Sequence, residues 1–359
     1  MHSPAYVPVQ LLGLGTAVPE HVLNQAEVAR VAHEMFATRY PEFQRLSAVF
    51  HTSGIKTRHA VKPVDWFRTP RGWPERTAAY LEGADQLFEA AASKALAHAK
   101  LTASDIDTIV TVSSTGIATP SLEVRSFATM GFKSSTRRIP VFGLGCAGGV
   151  SGLAIAADIA RGRPGSNVLM VAVELCSLAF RLDTLTKANV VATALFGDGA
   201  GAVVLRAGDR RDASLSHASI TLTGEHAWPD TLDLMGWNVD PQGFGVIFAR
   251  AIPPFAKANM GSAVAGMLDA GGLKTTDIGR FICHPGGAKV VDALEQSLGL
   301  VEQSLDHERA ILETHGNMSA PTVLFVLERA LAAGLPARSA MLAMGPGFTT
   351  SCAVLERNA

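Results

Sequence analysis

The sequence has no excess of charge of either sign. Its 31 lysines and arginines and its 32 aspartates and glutamates leave a formal net charge of -1 at pH 7. A strongly basic balance would favour nucleic acid or an anionic membrane, so we expect neither as a partner. Charged residues make up only 18% of the chain and hydrophobic residues 48%, beside 34 glycines. This composition argues against disorder and favours an α/β protein with a buried sheet.

Long hydrophobic runs and paired cysteines are also missing. No apolar stretch approaches the roughly 20 residues of a membrane-spanning helix. The first residues lack the basic and long apolar regions of a signal peptide, so we expect neither a span nor a leader. Cys146, Cys176, Cys283 and Cys352 form neither a CxxC pair nor a zinc-binding spacing. We therefore expect free thiols, no metal and a reducing cytoplasm.

Two segments of the chain repeat the same pattern. Residues 101–110 read LTASDIDTIV and residues 273–282 read LKTTDIGRFI, and a helical pattern precedes each. Downstream, a helix is predicted to open at Cys146 in the first copy and at Asn317 in the second. A strand, a glycine-rich turn and another strand follow both. Any α/β protein repeats strands and helices, but four matched elements in one order favour a duplication.

The duplication predicts the organisation of the fold. We expect one α/β half over residues 1–210 and a second over residues 211–359. Two pseudo-symmetric halves that face each other would bring Cys146, Asn317 and His284 to one central site. Sites of this kind, built from strand ends and helix starts, are usual in α/β proteins.

Cys146 has the sequence surroundings of a nucleophile. An apolar strand, RRIPVF, runs into the glycine-rich turn GLGCAGG, and a helical pattern follows directly. The positive end of a helix lowers a thiol pKa, which favours a reactive cysteine over a buried structural one. The letters GLGCAG also fit GxGxxG, so dinucleotide binding is a formal alternative, although a lone fingerprint with a cysteine in its loop supports it weakly.

Three further features are ambiguous by themselves. His284 ends an apolar strand before Pro-Gly-Gly, where a catalytic histidine and a hydrogen-bonded core histidine are equally plausible. Asn317 at a helix start is most often a simple N-cap. The loop that contains Gly345, Gly347 and Phe348 could present backbone N–H groups to a substrate oxygen, or it could be an ordinary turn.

Five linked motifs resemble one known family. GLGCAGG, LFGDGAGA, HPGG, GNMS and GPG occur in the order of the chalcone and stilbene synthases, and the resemblance extends over residues 8–356. Members are type III polyketide synthases of the thiolase fold, with two pseudo-symmetric α/β halves in a layered α-β-α-β-α core. The resemblance implies a homodimer that uses acyl-CoA and malonyl-CoA directly and needs no cofactor.

The resemblance also implies catalytic roles. Cys146 would take an acyl starter from its CoA thioester and hold the growing chain, forming an ion pair with His284. His284 and Asn317 would bind the malonyl-CoA carbonyl and stabilise the enolate that decarboxylation produces. Repeated condensation and cyclisation would follow.

Other positions match residues that surround the substrates in the family. Phe196 corresponds to a gate between the CoA tunnel and the cavity, and Thr119 to a residue that reaches into the partner's cavity. Lys56 and Arg58 would contact CoA phosphates, unless they are solvated charges on a surface turn. The cavity residues implied are Phe196, Ser319, Val246, Thr119, Glu174, Cys176 and Ala179.

Departures from the plant pattern suggest the substrate. Val246 replaces a second gate phenylalanine, and Cys176 and Ala179 replace threonines. Smaller side chains at Val246 and Ala179 favour a fatty acyl starter and an alkylpyrone or alkylresorcinol product. Two alternatives remain: a single condensation of the ketoacyl synthase type, with a carrier protein as acceptor, and a non-catalytic thiolase-fold subunit that pairs with an active one.

Overall fold

A computed structural model describes residues 7–208 and 218–358. Its strands are β1 (Val9–Ala17), β2 (His21–Asn24), β3 (Thr57–Ala60), β4 (Thr108–Val112), β5 (Arg137–Val141), β6 (Asn167–Leu175), β7 (Asp198–Ala207), β8 (Ala218–Ala227), β9 (Met235–Asp240), β10 (Gly243–Phe248), β11 (Arg280–Cys283), β12 (Arg338–Gly345) and β13 (Thr349–Arg357). Its α-helices are α1 (Gln25–Phe36), α2 (Phe43–Leu46), α3 (Val49–Thr52), α4 (Trp73–Ala99), α5 (Leu122–Arg125), α6 (Phe127–Met130), α7 (Gly148–Gly162), α8 (Lys187–Leu195), α9 (Ile252–Ala270), α10 (Ala288–Ser297), α11 (Asp306–His315) and α12 (Thr322–Ala333).

The two copies of the repeat adopt the same strand order. In the first copy the order is β4-β6-β7-β1, and in the second it is β11-β12-β13-β8. In each, the first pair is parallel and the next two are antiparallel. The half-sheets join where β1 pairs with β8 over three residues, and β5 forms the outer edge beside β4. The predicted boundary between residues 210 and 211 lies outside the described residues.

The copies also share a hydrogen bond in the turn before β4 and β11. The backbone N–H of Thr102 donates to the Asp105 carboxylate at 2.8 Å, and that of Lys274 donates to Asp277 at 2.8 Å. Each aspartate is the last residue of a short 3-10 turn, Ala103–Asp105 or Thr275–Asp277, which lies between a long helix and the next strand. The Asp-Ile pairs that reveal the repeat in the sequence therefore perform the same structural role in both copies.

The elements stack in the predicted five layers. Helices α7 and α12 lie between the half-sheets, and their apolar side chains form one buried cluster with β1, β4, β6 and β12. Helix α4 covers the outer face of the first half-sheet, and α9 with α10 covers that of the second. Burial on both faces explains why the central strands read as unbroken apolar runs. Within the described residues, no helix has the length and apolarity needed to span a membrane.

One predicted helix start is wrong. The second copy's helix begins at Thr322 and not at Asn317. Gly316 has a φ of +67° and Ser319 a φ of +59°, both incompatible with a right-handed helix. The intervening residues form an irregular segment that Pro321 connects to α12. Asn317 is therefore not a helix N-cap.

Candidate active site

Cys146 lies in a single 3-10 turn, Gly145–Ala147, directly before α7. The turn that delivers it from β5 needs left-handed backbone at Gly143 (φ +95°) and Gly145 (φ +50°), which glycine adopts without steric cost. The Ser114 hydroxyl accepts hydrogen bonds from the N–H groups of both glycines, at 3.2 and 3.3 Å. These contacts explain the GLGC sequence: the glycines make the turn and Ser114 fixes it.

The two halves of the chain meet at this turn. A Cβ added to Gly145 would lie 2.6 Å from Pro346, and one added to Gly345 would lie 2.5 Å from the carbonyl oxygen of Leu144. The Gly345-Pro346 segment at the end of β12 therefore packs directly against the turn that carries Cys146. Pro346 also lines the cavity beside the thiol.

Asn317 reaches the same place from the second half. Its backbone N–H donates to Leu195 at 2.8 Å, and its carbonyl accepts from the Gly197 N–H at 3.0 Å. Asn317 thus forms a parallel bridge with Phe196, the predicted gate residue. Its side-chain oxygen accepts from the Ser319 N–H at 2.8 Å, and its Nδ2 donates to the carbonyl of Gly286 at 3.2 Å.

His284 follows β11 and is 2% exposed. Its backbone N–H donates to Leu342 of the neighbouring strand β12 at 2.8 Å. Both ring nitrogens are buried and have no hydrogen-bond partner within the described parts of the chain. Buried polar atoms are normally paired, so an unpaired imidazole next to the Gly286 segment that binds Asn317 is a functional candidate and not a satisfied core histidine.

Burial opposes ionisation of both residues of the predicted ion pair. It raises the pKa of the Cys146 thiol to about 11, against hydrogen bonds from Ser319 and Asn317 that favour the thiolate. It lowers the pKa of His284 to about 4. In this structure neither ring nitrogen of His284 bonds to the thiol. Burial thus favours the neutral forms of both groups, and no hydrogen bond joins the expected thiolate–imidazolium pair in this structure.

A narrow cavity opens beside the Cys146 thiol. Its volume is about 50 Å³, and five predicted residues line it: Cys146, Cys176, Phe196, Val246 and Ser319. Ser319 holds its left-handed conformation directly beside the thiol, with which its hydroxyl interacts. Strained non-glycine residues of this kind concentrate at functional sites.

Several residues of the cavity wall were missed in the sequence. Phe248 packs edge-on against Phe196, with ring centroids 6.4 Å apart, and the Trp237 indole donates to the Ser114 carbonyl at 2.8 Å. Phe248 lies two residues after Val246 on β10, so strand periodicity alone would have placed both on one face. The additional wall residues are Ser114, Thr115, Met235, Trp237, Ile247 and Phe248.

Glu174 supports the cavity from behind. It is fully buried, and it accepts hydrogen bonds from the Ser114 N–H at 3.0 and 3.1 Å and from the Thr115 hydroxyl at 2.7 Å. Burial raises the pKa of this carboxyl group to about 8, in spite of those hydrogen bonds. Ser114 and Thr115 both line the cavity, so Glu174 holds two wall residues in position by hydrogen bonds without lining the cavity itself.

Two other predicted cavity residues, like Glu174, do not line the cavity. Ala179 is buried in the 3-10 turn that begins at Cys176 and does not line the cavity beside Cys146. Thr119 is exposed on the surface of this single chain. An exposed position is what the expected contact of Thr119 with a neighbouring subunit requires.

The two predicted CoA contacts have different surroundings. The Lys56 side chain is 79% exposed and forms an ion pair with Glu313. Arg58 is only 2% exposed, so the alternative of a solvated charge on a surface turn is wrong for this residue. Its Nη1 donates to the carbonyls of Thr193 and Phe196, each at 2.7 Å. Burial lowers the pKa of Arg58 to about 10, and the nearby Asp198 carboxylate partly offsets this shift. Through its hydrogen bond to the Phe196 carbonyl, the guanidinium holds the backbone of the predicted gate residue.

The predicted oxyanion loop divides into two parts. Gly345 contacts the nucleophile turn, as described above, whereas Phe348 is fully buried among Trp228 and Phe255, the latter ring 4.4 Å away. The Gly347 carbonyl accepts a hydrogen bond from Thr231 at 2.9 Å. Phe348 is therefore an anchor of the loop in the core and not a substrate contact.

Comparison with known proteins identifies the family. The chain matches the family model of chalcone and stilbene synthases, N-terminal domain, over residues 3–209 and that of their C-terminal domain over residues 220–357. A putative chalcone synthase of Bacillus subtilis (strain 168) is 37% identical over 351 residues, 95% of this chain and 96% of that protein. A 1,3,6,8-tetrahydroxynaphthalene synthase of Streptomyces peucetius subsp. caesius is 37% identical over 95% of this chain and 91% of that protein.

A solved structure gives the same result. The crystal structure of 1,3,6,8-tetrahydroxynaphthalene synthase from Streptomyces coelicolor A3(2), a bacterial type III polyketide synthase, superposes with a TM-score of 0.91. It shares 29% sequence identity, and the match covers 98% of this chain and 99% of that one. The fold is thus thiolase-like and the protein is an acyl-transferring enzyme. Within that class the chain belongs to the chalcone and stilbene synthase family, the type III polyketide synthases. The GxGxxG stretch is part of this family match and no longer supports dinucleotide binding.

Proposed function

We propose that this enzyme extends a fatty acyl-CoA starter with malonyl-CoA by iterative decarboxylative Claisen condensation, and that its products are alkylpyrones or alkylresorcinols. The observation that carries the starter assignment is the wall of the cavity beside Cys146. It is formed largely by Cys176, Val246, Ile247 and two phenylalanines, without a charged side chain among its lining residues. An apolar wall of this kind favours an aliphatic chain over a polar or hydroxylated starter.

The proposed reaction begins on Cys146. Its sulfur attacks the acyl-CoA carbonyl, the CoA thiolate leaves, and the acyl group remains as a thioester on Cys146. The proton of the thiol passes to His284, whose ring nitrogens are available because nothing in the described residues occupies them. The positive helix end behind Cys146 stabilises the negative charge on the sulfur.

Malonyl-CoA then supplies the nucleophile. Asn317 Nδ2 uses one N–H for Gly286, at 3.2 Å, and has a second that can donate to the malonyl thioester oxygen beside His284. Loss of CO2 leaves an enolate whose charge these donors stabilise, and its carbon attacks the acyl group on Cys146. The Cys146 thiolate leaves, and the chain, longer by two carbons, can be transferred back to it for another round.

The substrates in this proposal are CoA thioesters, and the reaction calls for no metal or redox cofactor. Lys56, exposed beside Glu313, is the remaining candidate for a contact with CoA phosphates. We place the enzyme in the reducing cytoplasm, in agreement with its four free cysteines.

The starter is tested by incubating the purified enzyme with malonyl-CoA and acyl-CoAs from acetyl to hexadecanoyl and with aryl-CoAs, and by identifying the products by mass spectrometry. We expect pyrones or resorcinols that carry the starter's alkyl chain. A tetrahydroxynaphthalene product, the compound in the name of the Streptomyces peucetius relative, would overturn the fatty acyl assignment. Efficient extension of aryl-CoAs with no use of long acyl-CoAs would do the same.

Replacing His284 with alanine is expected to shift the reactivity of Cys146 to alkaline pH. The thiol has a pKa of about 11 even beside His284, so in the variant, which lacks a base to take the proton, alkylation depends on the thiolate fraction and falls as the pH falls below that value. In the wild type, neutral His284 accepts the thiol proton as the sulfur attacks, so alkylation continues at lower pH. The measurement is the rate of iodoacetamide alkylation of Cys146 between pH 5 and about 10, followed by peptide mass spectrometry.

His315→Ala is the matched control for this experiment. His315 stacks on His59 with ring centroids 5.6 Å apart and bonds to Thr314, so its loss should leave the alkylation profile unchanged. Superimposable profiles of the wild type and His284→Ala would show that His284 does not take the thiol proton.

We also propose a homodimer through the surface that contains Ile117, Thr119 and Phe142. Ile117 is 55% exposed and Phe142 57% exposed, and the edge strand β5 ends beside Phe142. Exposed apolar side chains along a free sheet edge favour association with another chain. A second copy would bring its own Thr119 towards this chain, as the family resemblance implies.

Phe142→Asp is expected to weaken this dimer by roughly 100-fold or more, because two-fold symmetry would bury the new carboxylate twice. Light scattering after size-exclusion chromatography over a range of concentrations measures the change. Val301→Asp, at a residue 79% exposed elsewhere on the surface, is the control and should remain dimeric. A monomeric wild type, or no effect of Phe142→Asp, would exclude this interface.

A further inference from the structure

A buried carboxyl group lies directly behind the proposed decarboxylation pair. Glu308 is on helix α11 and is fully buried. Its Oε1 accepts a hydrogen bond from the backbone N–H of Cys283 at 2.8 Å, and Cys283 is the residue before His284. Carboxyl groups are rarely buried completely unless a specific partner compensates for the lost water. The mechanism proposed above does not use Glu308, so its role is unassigned.

The position of β11 explains why a side chain bonds to Cys283. Within the described residues, β11 is the outermost strand on its side of the sheet and pairs with β12 alone. The N–H groups of successive strand residues point to opposite sides. That of His284 points to β12 and donates to Leu342 at 2.8 Å, so that of Cys283 points away from the sheet. A buried N–H without an acceptor costs free energy, and Glu308 supplies the acceptor that a further strand would otherwise provide.

Glu308 thereby joins the two elements that carry His284 and Asn317. Strand β11 ends directly before His284, and helix α11 ends two residues before Asn317. At the active site, the two segments meet through the hydrogen bond from Asn317 to the carbonyl of Gly286, at 3.2 Å. The bond between Glu308 and β11 is a second link, set back from the reacting groups. The separation of His284 and Asn317 therefore depends on both links.

Arg280 connects the same two elements through their charges. It begins β11, its Nη2 donates to Asp306 of α11 at 2.8 Å, and the same nitrogen lies 3.6 Å from Oε2 of Glu308. That oxygen is buried and has no hydrogen-bond partner among the described residues. The Glu308 carboxyl group thus has a strong hydrogen bond at one oxygen and only a nearby cation at the other.

The charge of Glu308 changes near neutral pH. Burial raises the pKa of its carboxyl group to about 7, although the Cys283 N–H and Arg280 favour the carboxylate, and Asp306 opposes ionisation. The Cys283 thiol stays protonated in this range, because burial raises its pKa well above the ordinary value. Further charged or titratable groups on α11 and on the elements packed against it are His307, Arg309, Glu295 of α10, Arg329 of α12, and Arg58 and His59 of β3.

We propose that Glu308 is a positioning residue for decarboxylation: its carboxylate fastens β11 to α11 and so holds His284 and Asn317 at the separation that the enolate requires, and uptake of a proton by this carboxylate slows the step. A carboxylate accepts an N–H more strongly than a neutral acid does, so the ionised form holds the strand more firmly. This inference rests on the roles of His284 and Asn317 in the proposed function. It extends them to a residue that touches no substrate.

Glu308→Gln tests the proposal, because the amide keeps the shape and a neutral acceptor oxygen but cannot ionise. The measurement is the rate of CO2 release from malonyl-CoA from about pH 5.5 to about pH 9. We expect kcat of the wild type to equal that of the variant at the acid end and to exceed it about fivefold at the alkaline end, with half of the change near pH 7. KM for malonyl-CoA should be unchanged. The ratio of the two rates cancels the titrations that both proteins share, including that of Glu174.

Stability should change in the direction opposite to the rate. The Glu308 carboxyl group ionises near its ordinary pKa of 4.5 in the unfolded chain and near 7 in the folded one, so the wild type loses stability as the pH rises between these values. The urea midpoint of the wild type should therefore fall relative to that of Glu308→Gln over this range. A variant that is relatively more stable at alkaline pH and yet slower does not owe its lower rate to unfolding.

Two further variants complete the test. Glu302→Gln changes an exposed carboxyl group in the loop before α11, so its rates should equal those of the wild type at every pH. Arg280→Gln removes the cation that favours the Glu308 carboxylate, so the half-point of the pH profile should move to higher pH. This shift tests the proposal even if Glu308→Gln does not fold.

The outcomes separate this inference from the proposed function. If the wild type releases no CO2 from malonyl-CoA, both are overturned. If the wild type decarboxylates malonyl-CoA and its rate relative to Glu308→Gln is the same at every pH, only the positioning role is overturned. A ratio that rises through pH 7 at constant KM, with a half-point moved upward by Arg280→Gln, supports it.

Discussion

Cys146→Ala is expected to abolish polyketide formation from every starter, by a factor on the order of 1,000 or more, because no other nucleophile is available to hold the acyl chain. The remaining thiols cannot substitute. Cys176, Cys283 and Cys352 are buried, and burial raises the pKa of each, to about 12 for Cys352. Product formation is measured by mass spectrometry, and acylation of the enzyme by its intact mass.

The same variant separates the two chemical steps. If His284 and Asn317 carry the decarboxylation, Cys146→Ala should still convert malonyl-CoA to acetyl-CoA, whereas Asn317→Ala should lose at least about tenfold of that activity. Residual polyketide formation by Cys146→Ala would contradict its assignment as nucleophile. Loss of decarboxylation in Cys146→Ala but not in Asn317→Ala would contradict the division of roles.

Gly149→Ala is expected to destabilise the protein by at least about 2 kcal/mol and to reduce activity at least about tenfold. A Cβ at this position would lie 2.2 Å from the backbone oxygen of Ala320, an atom that cannot rotate away. Helix α7 would have to move away from the segment that carries Ser319, and Cys146 lies immediately before that helix. The midpoint of denaturant unfolding and kcat with the best starter measure the two effects.

Gly162→Ala is the matched control in the same helix. Nothing lies within 4 Å of the Cβ that it would add. Removing the backbone freedom of a helical glycine stabilises by up to about 1 kcal/mol, so this variant should equal or exceed the wild type in stability and retain its activity. A Gly149→Ala protein with the same midpoint and kcat as the wild type would show that the two halves do not meet as closely as described.

The fold and the central site were predictable because their signals are repeated or local. The Asp105 and Asp277 turns occur twice in the sequence and identify equivalent elements. The glycines around Cys146 are required by a turn whose shape depends on backbone angles alone. Such patterns can be recognised without knowledge of distant contacts, which is why the turn at Cys146 and the organisation into two similar halves could be inferred.

Other features depend on contacts between segments distant in the sequence. Arg58 reads as a surface charge, and only the carbonyls of Thr193 and Phe196, about 135 residues later, make its burial possible. The Asn317 segment reads as a helix start, but the backbone bridge to Phe196 holds it in an irregular conformation. Periodicity within a single segment cannot reveal such pairings.

The residues that line the cavity were also only partly predictable from the sequence. Val246 was identified from its motif, whereas Phe248 on the same strand was overlooked although it is the residue that contacts Phe196. Ala179 occupies a motif position yet lies behind the wall. The shape of a cavity is the sum of several segments, so a correspondence of motifs identifies the region but not which side chains face the substrate.

The backbone bridge between Phe196 and Asn317 has a consequence for how this enzyme can change. The backbone of Asn317, the proposed catalytic amide, is hydrogen-bonded at 2.8 and 3.0 Å to Leu195 and Gly197, the residues on either side of the gate residue Phe196, so the two positions are mechanically linked. A substitution that shifts the backbone at the gate also displaces the amide, so altered selectivity from that side brings a loss of rate. Evolution or engineering that changes the gate while keeping the rate must therefore leave this backbone bridge intact, so the gate and the proposed catalytic amide are expected to persist together as a pair.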